Sequence, residues 1–153
     1  MFSPEQQAFI ASLEAELTEI GFQSLKTAEE VAKHFEKKPQ GTTLLFINSV
    51  CGCAGTGARA SVKIALESSA CVPDHLVTVF AGIDEEATAQ VFEYTKPYPP
   101  SAPAIALFSS GELVHFIERH QIKGYPAEAL ATDLQTALEQ HCEATPLATS
   151  SVS

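Results

Sequence analysis

Thr43-Leu44-Leu45-Phe46-Ile47-Asn48-Ser49-Val50 runs directly into Cys51-Gly52-Cys53, and a helix-forming segment follows. The first eight residues are nearly all apolar or strand-forming, the pattern of a strand covered on both faces. A thiol placed between the carboxyl end of such a strand and the start of a helix meets backbone N–H groups that have no partner within the helix. It also meets the positive end of the helix dipole. Both favour thiolate over thiol, and the thiolate is the nucleophile. The spacing brings a second sulfur close to the first, so the segment reads as a site that breaks and forms disulfides.

The rest of the composition fits that chemistry and excludes others. A chain of 153 residues can bury one core without staples. The expected organisation is one domain over residues 1–142, followed by a flexible tail over 143–153 that is small and polar. Lys plus Arg number 9 against 19 Asp plus Glu, a formal charge of −10. An acidic surface disfavours nucleic acid and anionic membrane, which both call for basic patches. Met1-Phe2-Ser3-Pro4 lacks the basic start and apolar core of a secretory signal, and no apolar run is long enough to span a membrane. The expected compartment is therefore the cytoplasm, where a close cysteine pair serves redox or metal chemistry more often than a structural bridge.

Around the dithiol the elements follow from local signals. Ser3, Pro4 and Gln6 form a capping box, and Ile10, Leu13, Leu17 and Ile20 draw one apolar stripe that Gly21 ends. A short strand is expected over Phe22–Leu25. Thr27 and Glu30 form a second capping box for a helix to about Lys38. After the Thr43–Val50 strand come a helix over Ala58–Ala70, a strand over Leu76–Ala81, and a helix over Glu85–Tyr94 capped by Asp84. The proline-rich segment from Pro97 to Pro103 interrupts regular structure. Ser109-Ser110-Gly111-Glu112 turns a hairpin between Ala104–Phe108 and Leu113–Ile117. Tyr125-Pro126 opens a last helix with Leu130, Leu134 and Leu138 on one face. Strand–helix–strand units followed by a hairpin imply an α/β protein with a mixed sheet and helices on both faces. That succession resembles the thioredoxin fold with an additional amino-terminal helix.

Within the site, Cys51, nearer the strand end, is expected to attack, and Cys53 either displaces the small thiol to leave an intramolecular bridge or stays aside while an external thiol regenerates Cys51; Gly52 supplies the backbone freedom that such a bridge requires. So small a ring is expected to be easily reduced, on the oxidising side of CxxC couples. Asn48 is expected to hold the loop's backbone, and Arg59 to favour the thiolate unless it is simply a solvated charge. Ala54-Gly55-Thr56-Gly57 reads as a loop that gives a substrate room to approach. In thioredoxin-like proteins a cis proline opens the strand facing the dithiol. The resemblance therefore implies a cis bond at Ala102-Pro103, with these two residues binding substrate through their backbone.

The residues also resemble one family closely. Leu45-Phe46-Ile47-Asn48-Ser49-Val50-Cys51-Gly52-Cys53-Ala54 is similar to the signature of the bacilliredoxins, small thioredoxin-like proteins with a CGC site. Pro73–Gly82, Pro100–Pro103, Val114–Ile117, Arg119-His120 and His141-Cys142 match as well. The chain departs from that pattern with Ala60 after the helix arginine and Glu118 before the Arg-His pair. The resemblance implies removal of bacillithiol, or a similar low-molecular-weight thiol, from the mixed disulfides of oxidised proteins. The small thiol would be a co-substrate, with no cofactor tightly bound. Disulfide isomerisation has also been attributed to the family.

Other uses of the same residues are less economical. Cys71 and Cys142 read as structural, and His115 and His120 as surface or satisfied core. Cys51 and Cys53 with Cys71 or Cys142 would supply soft ligands for a trafficked metal, but no second close pair accompanies them, so no metal site is expected. A scaffold whose thiols only support partner binding is the remaining alternative.

Overall fold

The computed structural model describes residues 3–36, 41–50, 52–68, 72–96, 98–122 and 125–141, without the side chains of residues 52–55 and 68. In chain order it contains α1 (Pro4–Thr18), β1 (Gln23–Ser24), α2 (Ala28–Glu36), β2 (Thr42–Asn48) and α3 (Gly52–Ser68). These are followed by β3 (His75–Phe80), α4 (Glu85–Tyr94), β4 (Ala104–Ser109), β5 (Glu112–Ile117), α5 (Arg119–Ile122) and α6 (Ala127–His141).

β2 is central because it has no polar face. All seven of its residues are buried. Side chains alternate across a strand, and here both sets find apolar partners. Leu44 and Phe46 join Leu17, Val62, Ile105, Leu134 and Leu138 on one side of the sheet. Leu45 and Ile47 join Val31, Phe35, Val79, Val91 and Phe108 on the other. The five strands lie in the order β1-β3-β2-β4-β5. β1 and β2 run parallel to β3, whereas β4 runs antiparallel to β2 and β5. α1, α3 and α6 cover one face, and α2 and α4 the other. The α/β architecture expected from the sequence is observed.

Local signals account for most element ends. Ser3 and Gln6 form the reciprocal capping box of α1. Ser110 and Gly111 both have positive φ, 51° and 84°, the combination that suits a two-residue hairpin turn. Pro103 follows a cis peptide bond from Ala102, as the fold resemblance implied.

Several expectations need correction. α3 begins at Gly52, six residues ahead of the expected start at Ala58, so Ala54-Gly55-Thr56-Gly57 is helix, not an open loop. Glycine weakens a helix by about 1 kcal/mol per residue. Ala58, Val62 and Ala65, all buried, tie this helix to the core and outweigh that penalty. At α2 the Thr27 hydroxyl does accept the Glu30 N–H at 3.1 Å, but the Glu30 carboxylate takes the Lys26 N–H at 2.7 Å, one residue before the cap. α5 was not anticipated, being too short to show a period. No helix among the described residues is long and apolar enough to cross a membrane.

Asp84 occupies the N-cap of α4 but makes no side-chain capping hydrogen bond. Burial pushes its carboxyl pKa up, and the charge of Lys26 only partly opposes this. A raised acid pKa means that the folded state holds its proton more tightly, so this group's contribution to stability falls as pH rises through that pKa. Asp84→Asn is therefore expected to stabilise the protein at neutral pH. The gain should stay below about 1 kcal/mol because the carboxyl is partly solvated. Urea unfolding should show the gain at pH 7, a decline as pH falls below the raised pKa, and no gain once pH is below the ordinary carboxyl range.

Candidate active site

β2 ends at Asn48, and four residues later α3 begins at Gly52, so Cys51 immediately precedes the first residue of a 17-residue helix. Cys51 itself lies outside the described residues, as do Cys71 and Cys142, and of Cys53 only the backbone, in the first turn of α3, is described. The metal-ligand alternative rests on these same cysteines. Val50, next to Cys51, is 50% exposed, so the chain reaches the surface there.

Beneath this junction lies a polar hub. Asn48 is buried, and each polar atom of its side chain is engaged. Its Oδ1 accepts the Ser49 N–H at 2.9 Å and an Arg59 Nη1 hydrogen at 3.0 Å, while Nδ2 donates to the Leu13 carbonyl at 3.3 Å. Its own carbonyl accepts the Ala81 N–H at 3.0 Å, which ties it to the end of β3. Arg59 is only 4% exposed. Its Nε donates to Glu16 Oε1 at 2.9 Å, and Nη1 also reaches the Ser49 carbonyl at 3.4 Å. The solvated-charge reading of Arg59 is thus wrong, because the guanidinium is enclosed by α1, α3 and the end of β2.

Electrostatically, a permanent positive charge sits under residues 48 and 49, on the chain's approach to Cys51. The start of α3 adds a second positive field next to the same residue. Asn48 fixes the backbone, as expected, and it also positions the cation. Glu16 was missed by the sequence reading. On α1 it lies between the buried Leu13 and Leu17, and an acid that close to an apolar stripe is the one signal that marks it.

The strand register brings the proline segment to this place. Ile47 pairs with Ala104 in the antiparallel β2–β4 ladder. The chain going forward to Cys51 and the chain going back to Pro103 and Ala102 therefore leave the sheet at the same end. His115 lies mid-strand opposite Leu107, with Nε2 3.2 Å from Asp133 Oδ2, away from that end. His120 is largely exposed and lies at the dithiol's end of the sheet.

Comparison with known proteins agrees with this arrangement. A family described as "Disulphide isomerase" matches residues 6–142. A bacilliredoxin of Cytophaga hutchinsonii is 52% identical over 137 residues, covering 90% of this chain and 98% of the relative. One from Halalkalibacterium halodurans is 51% identical over 134 residues, covering 88% and 92%. The chain belongs to the bacilliredoxin family. Among solved structures, Fasciola hepatica thioredoxin superposes with a TM-score of 0.54 at 16% identity, over 78% of this chain and 99% of that one. Mitochondrial thioredoxin 3 of Saccharomyces cerevisiae gives 0.53 at 13% identity, over 82% and 98%. The fold is that of thioredoxin. Family and fold together support a thiol–disulfide oxidoreductase.

A double-mutant cycle tests the hub. Arg59→Ala should cost about 2–4 kcal/mol, toward the lower end for a broken buried pair because Glu16 is 52% exposed. Glu16→Ala should cost less, and the two should couple by about 1 kcal/mol. Additive effects in denaturant unfolding would mean that the pair does not act as a unit.

Proposed function

We propose that this protein removes bacillithiol, or a similar low-molecular-weight thiol, from protein mixed disulfides through the Cys51-Gly52-Cys53 site. The observation that carries the proposal is the buried Arg59 under the strand end, together with a helix that starts at the residue after Cys51. Both favour the anionic sulfur that thiol–disulfide exchange requires.

In the first step the Cys51 thiolate attacks the small thiol's sulfur in the mixed disulfide. The protein substrate leaves as a thiolate and takes up a proton, while Cys51 becomes disulfide-linked to the small thiol. In the second step the Cys53 thiolate attacks Cys51 Sγ, releasing the small thiol and leaving an intramolecular disulfide. Two electrons from an external thiol reductant then reset the pair, so no resident cofactor takes part. Ala102 and the cis-linked Pro103, which leave the sheet beside the dithiol's strand, present their backbone to the substrate chain. The setting proposed is the reducing cytoplasm, where oxidised proteins carrying small-thiol adducts are the partners.

A second reading follows from the description of the matching family, "Disulphide isomerase". In isomerisation Cys51 would attack a protein disulfide, and a thiol of the same substrate would resolve the adduct with no net electron transfer.

A test protein carrying bacillithiol on a single cysteine distinguishes the two. Wild-type protein should release the test protein's thiol stoichiometrically. Cys51→Ala should abolish release, whereas Cys53→Ala should complete the first step and accumulate a Cys51–bacillithiol adduct visible by intact mass. Release that persists in Cys51→Ala would remove the assignment. Refolding of a scrambled disulfide protein without removal of bacillithiol would favour isomerisation.

A further inference from the structure

Phe9, Leu13 and Leu17 follow one another at single-turn intervals along α1 and so share one side of it. Leu13 and Leu17 are 6% and 0% exposed, yet Phe9 is 54% exposed. The difference comes from where the sheet ends. Asn48, the last residue of β2, donates to the Leu13 carbonyl. Gly21, past the other end of the helix, lies against the Leu76 side chain, and Leu76 pairs with Leu44 near the start of β2. α1 therefore runs from beyond the strand's end back toward its start, and Pro4–Ser12 projects about 13 Å past Asn48 at the dithiol's end. Of residues 4–12, all but Ile10 are exposed. This half stays helical through its own cap, the reciprocal Ser3–Gln6 hydrogen bonds of 2.8 and 3.1 Å with Pro4 in the first turn.

α3 starts at the same end. Its Arg59 meets Glu16 of α1 at 2.9 Å, and both helices run back over one core, α1 through Leu17 and α3 through Val62 and Ala65. Phe9 precedes Glu16 by seven residues, close to two turns, so it lies on the same side of α1 as Glu16, the side toward α3. Gly52 precedes Arg59 by seven residues as well. Two turns back along each helix, about 10 Å, Phe9 therefore comes level with Gly52, the middle of the dithiol motif. Val50, 50% exposed, adds a second apolar side chain at this end. Charge is scarce here: in a chain with 19 acidic residues, Pro4–Ser12 carries only Glu5. An apolar, nearly uncharged ledge thus stands beside the dithiol.

The reaction decides what lies against that ledge. When Cys51 attacks a mixed disulfide, the leaving sulfur belongs to the substrate protein and sits one bond beyond the sulfur under attack. The substrate's chain is therefore held across this end of the sheet, within reach of the projecting helix, whichever small thiol it carries. We infer that the inward side of the free half of α1, with Phe9 as its main contact and Val50 as its second, binds an apolar side chain of the substrate polypeptide next to the adduct-bearing cysteine. This rests on the thiol-transfer function and adds the class of protein it favours: chains whose modified cysteine has a large apolar neighbour. Phe9 supplies contact area from a ring with few torsions to freeze and takes no part in the exchange of sulfur.

The test holds the adduct constant and varies the polypeptide. Two short peptides carry bacillithiol on a single cysteine, flanked by leucine in one and by serine in the other. Bacillithiol disulfide, which has no polypeptide, is the third substrate. Rates are divided by those of a free dithiol reagent, which corrects for intrinsic reactivity. Wild-type protein should favour the leucine peptide through a lower KM. Phe9→Ser should lower kcat/KM for that peptide about tenfold, mostly in KM, and leave the other two substrates within about twofold, the scale of losing one large apolar contact. Phe9→Leu should restore most of the preference. Ala11→Ser, exposed on the opposite side of the same segment, should change nothing. No leucine preference in wild-type protein, equal slowing of all three substrates by Phe9→Ser, or the same loss in Ala11→Ser would overturn the docking site. So would a wild-type dimer in sedimentation that Phe9→Ser dissolves, since a second copy would then occupy this face. If wild-type protein acts on none of the three substrates, the thiol-transfer function itself fails, and the docking site with it.

Discussion

The buried guanidinium of Arg59 is the interaction on which the rest of the site depends. It lies inside the protein at the point where α1, the end of β2 and α3 converge, and each of the three supplies it with a partner or holds it in place. A charge in such surroundings is costly unless its hydrogen-bonding groups are engaged. Glu16, Asn48 and the Ser49 carbonyl meet that demand, and in doing so they fix the chain that leads to Cys51. The additional amino-terminal helix therefore belongs to the site, because it contributes both Glu16 and the Leu13 carbonyl that orients Asn48.

That arrangement is possible because β2 is covered on both faces. With apolar residues packed on either side of the strand, its polar side chains are confined to its two ends, Thr42 and Thr43 at one and, at the other, Asn48, which turns from the ladder to Arg59 and α1. The antiparallel pairing with β4 then determines what lies beside the dithiol. A one-residue slip would send Ile105 and Leu107 to the face that Ala104, Ala106 and Phe108 now occupy, breaking the packing on both sides of the sheet, and would shift Pro103 along the strand relative to Asn48. Core packing thus sets the register, and the register assembles the site.

Much of this was legible from the residues. The run Thr43–Val50, the Ser3–Gln6 box, the Ser110-Gly111 turn and the apolar face of α6 each carry a local signal that tertiary structure reinforces. The cis bond before Pro103 came from the fold resemblance and could not be read from its immediate neighbours. The remainder was hidden for identifiable reasons. Glycines at 55 and 57 mimic a loop, yet packing by Ala58 and Val62 extends the helix back to Gly52. Asp84 has the composition of a cap without the geometry. Glu16 and Arg59 are 43 residues apart, and no pattern along the chain announces that they pair.

The central claim is that Arg59 and the start of α3 hold the Cys51 thiol ionised near neutral pH. It is tested most directly by titrating the thiolate's ultraviolet absorbance in protein whose Cys53, Cys71 and Cys142 are replaced by serine, with and without Arg59→Met. The expected result is ionisation well below the ~8.5 of a free cysteine, shifted upward when the guanidinium is removed. A Cys51 that titrates like free cysteine, or one whose ionisation ignores the loss of Arg59, would contradict the account.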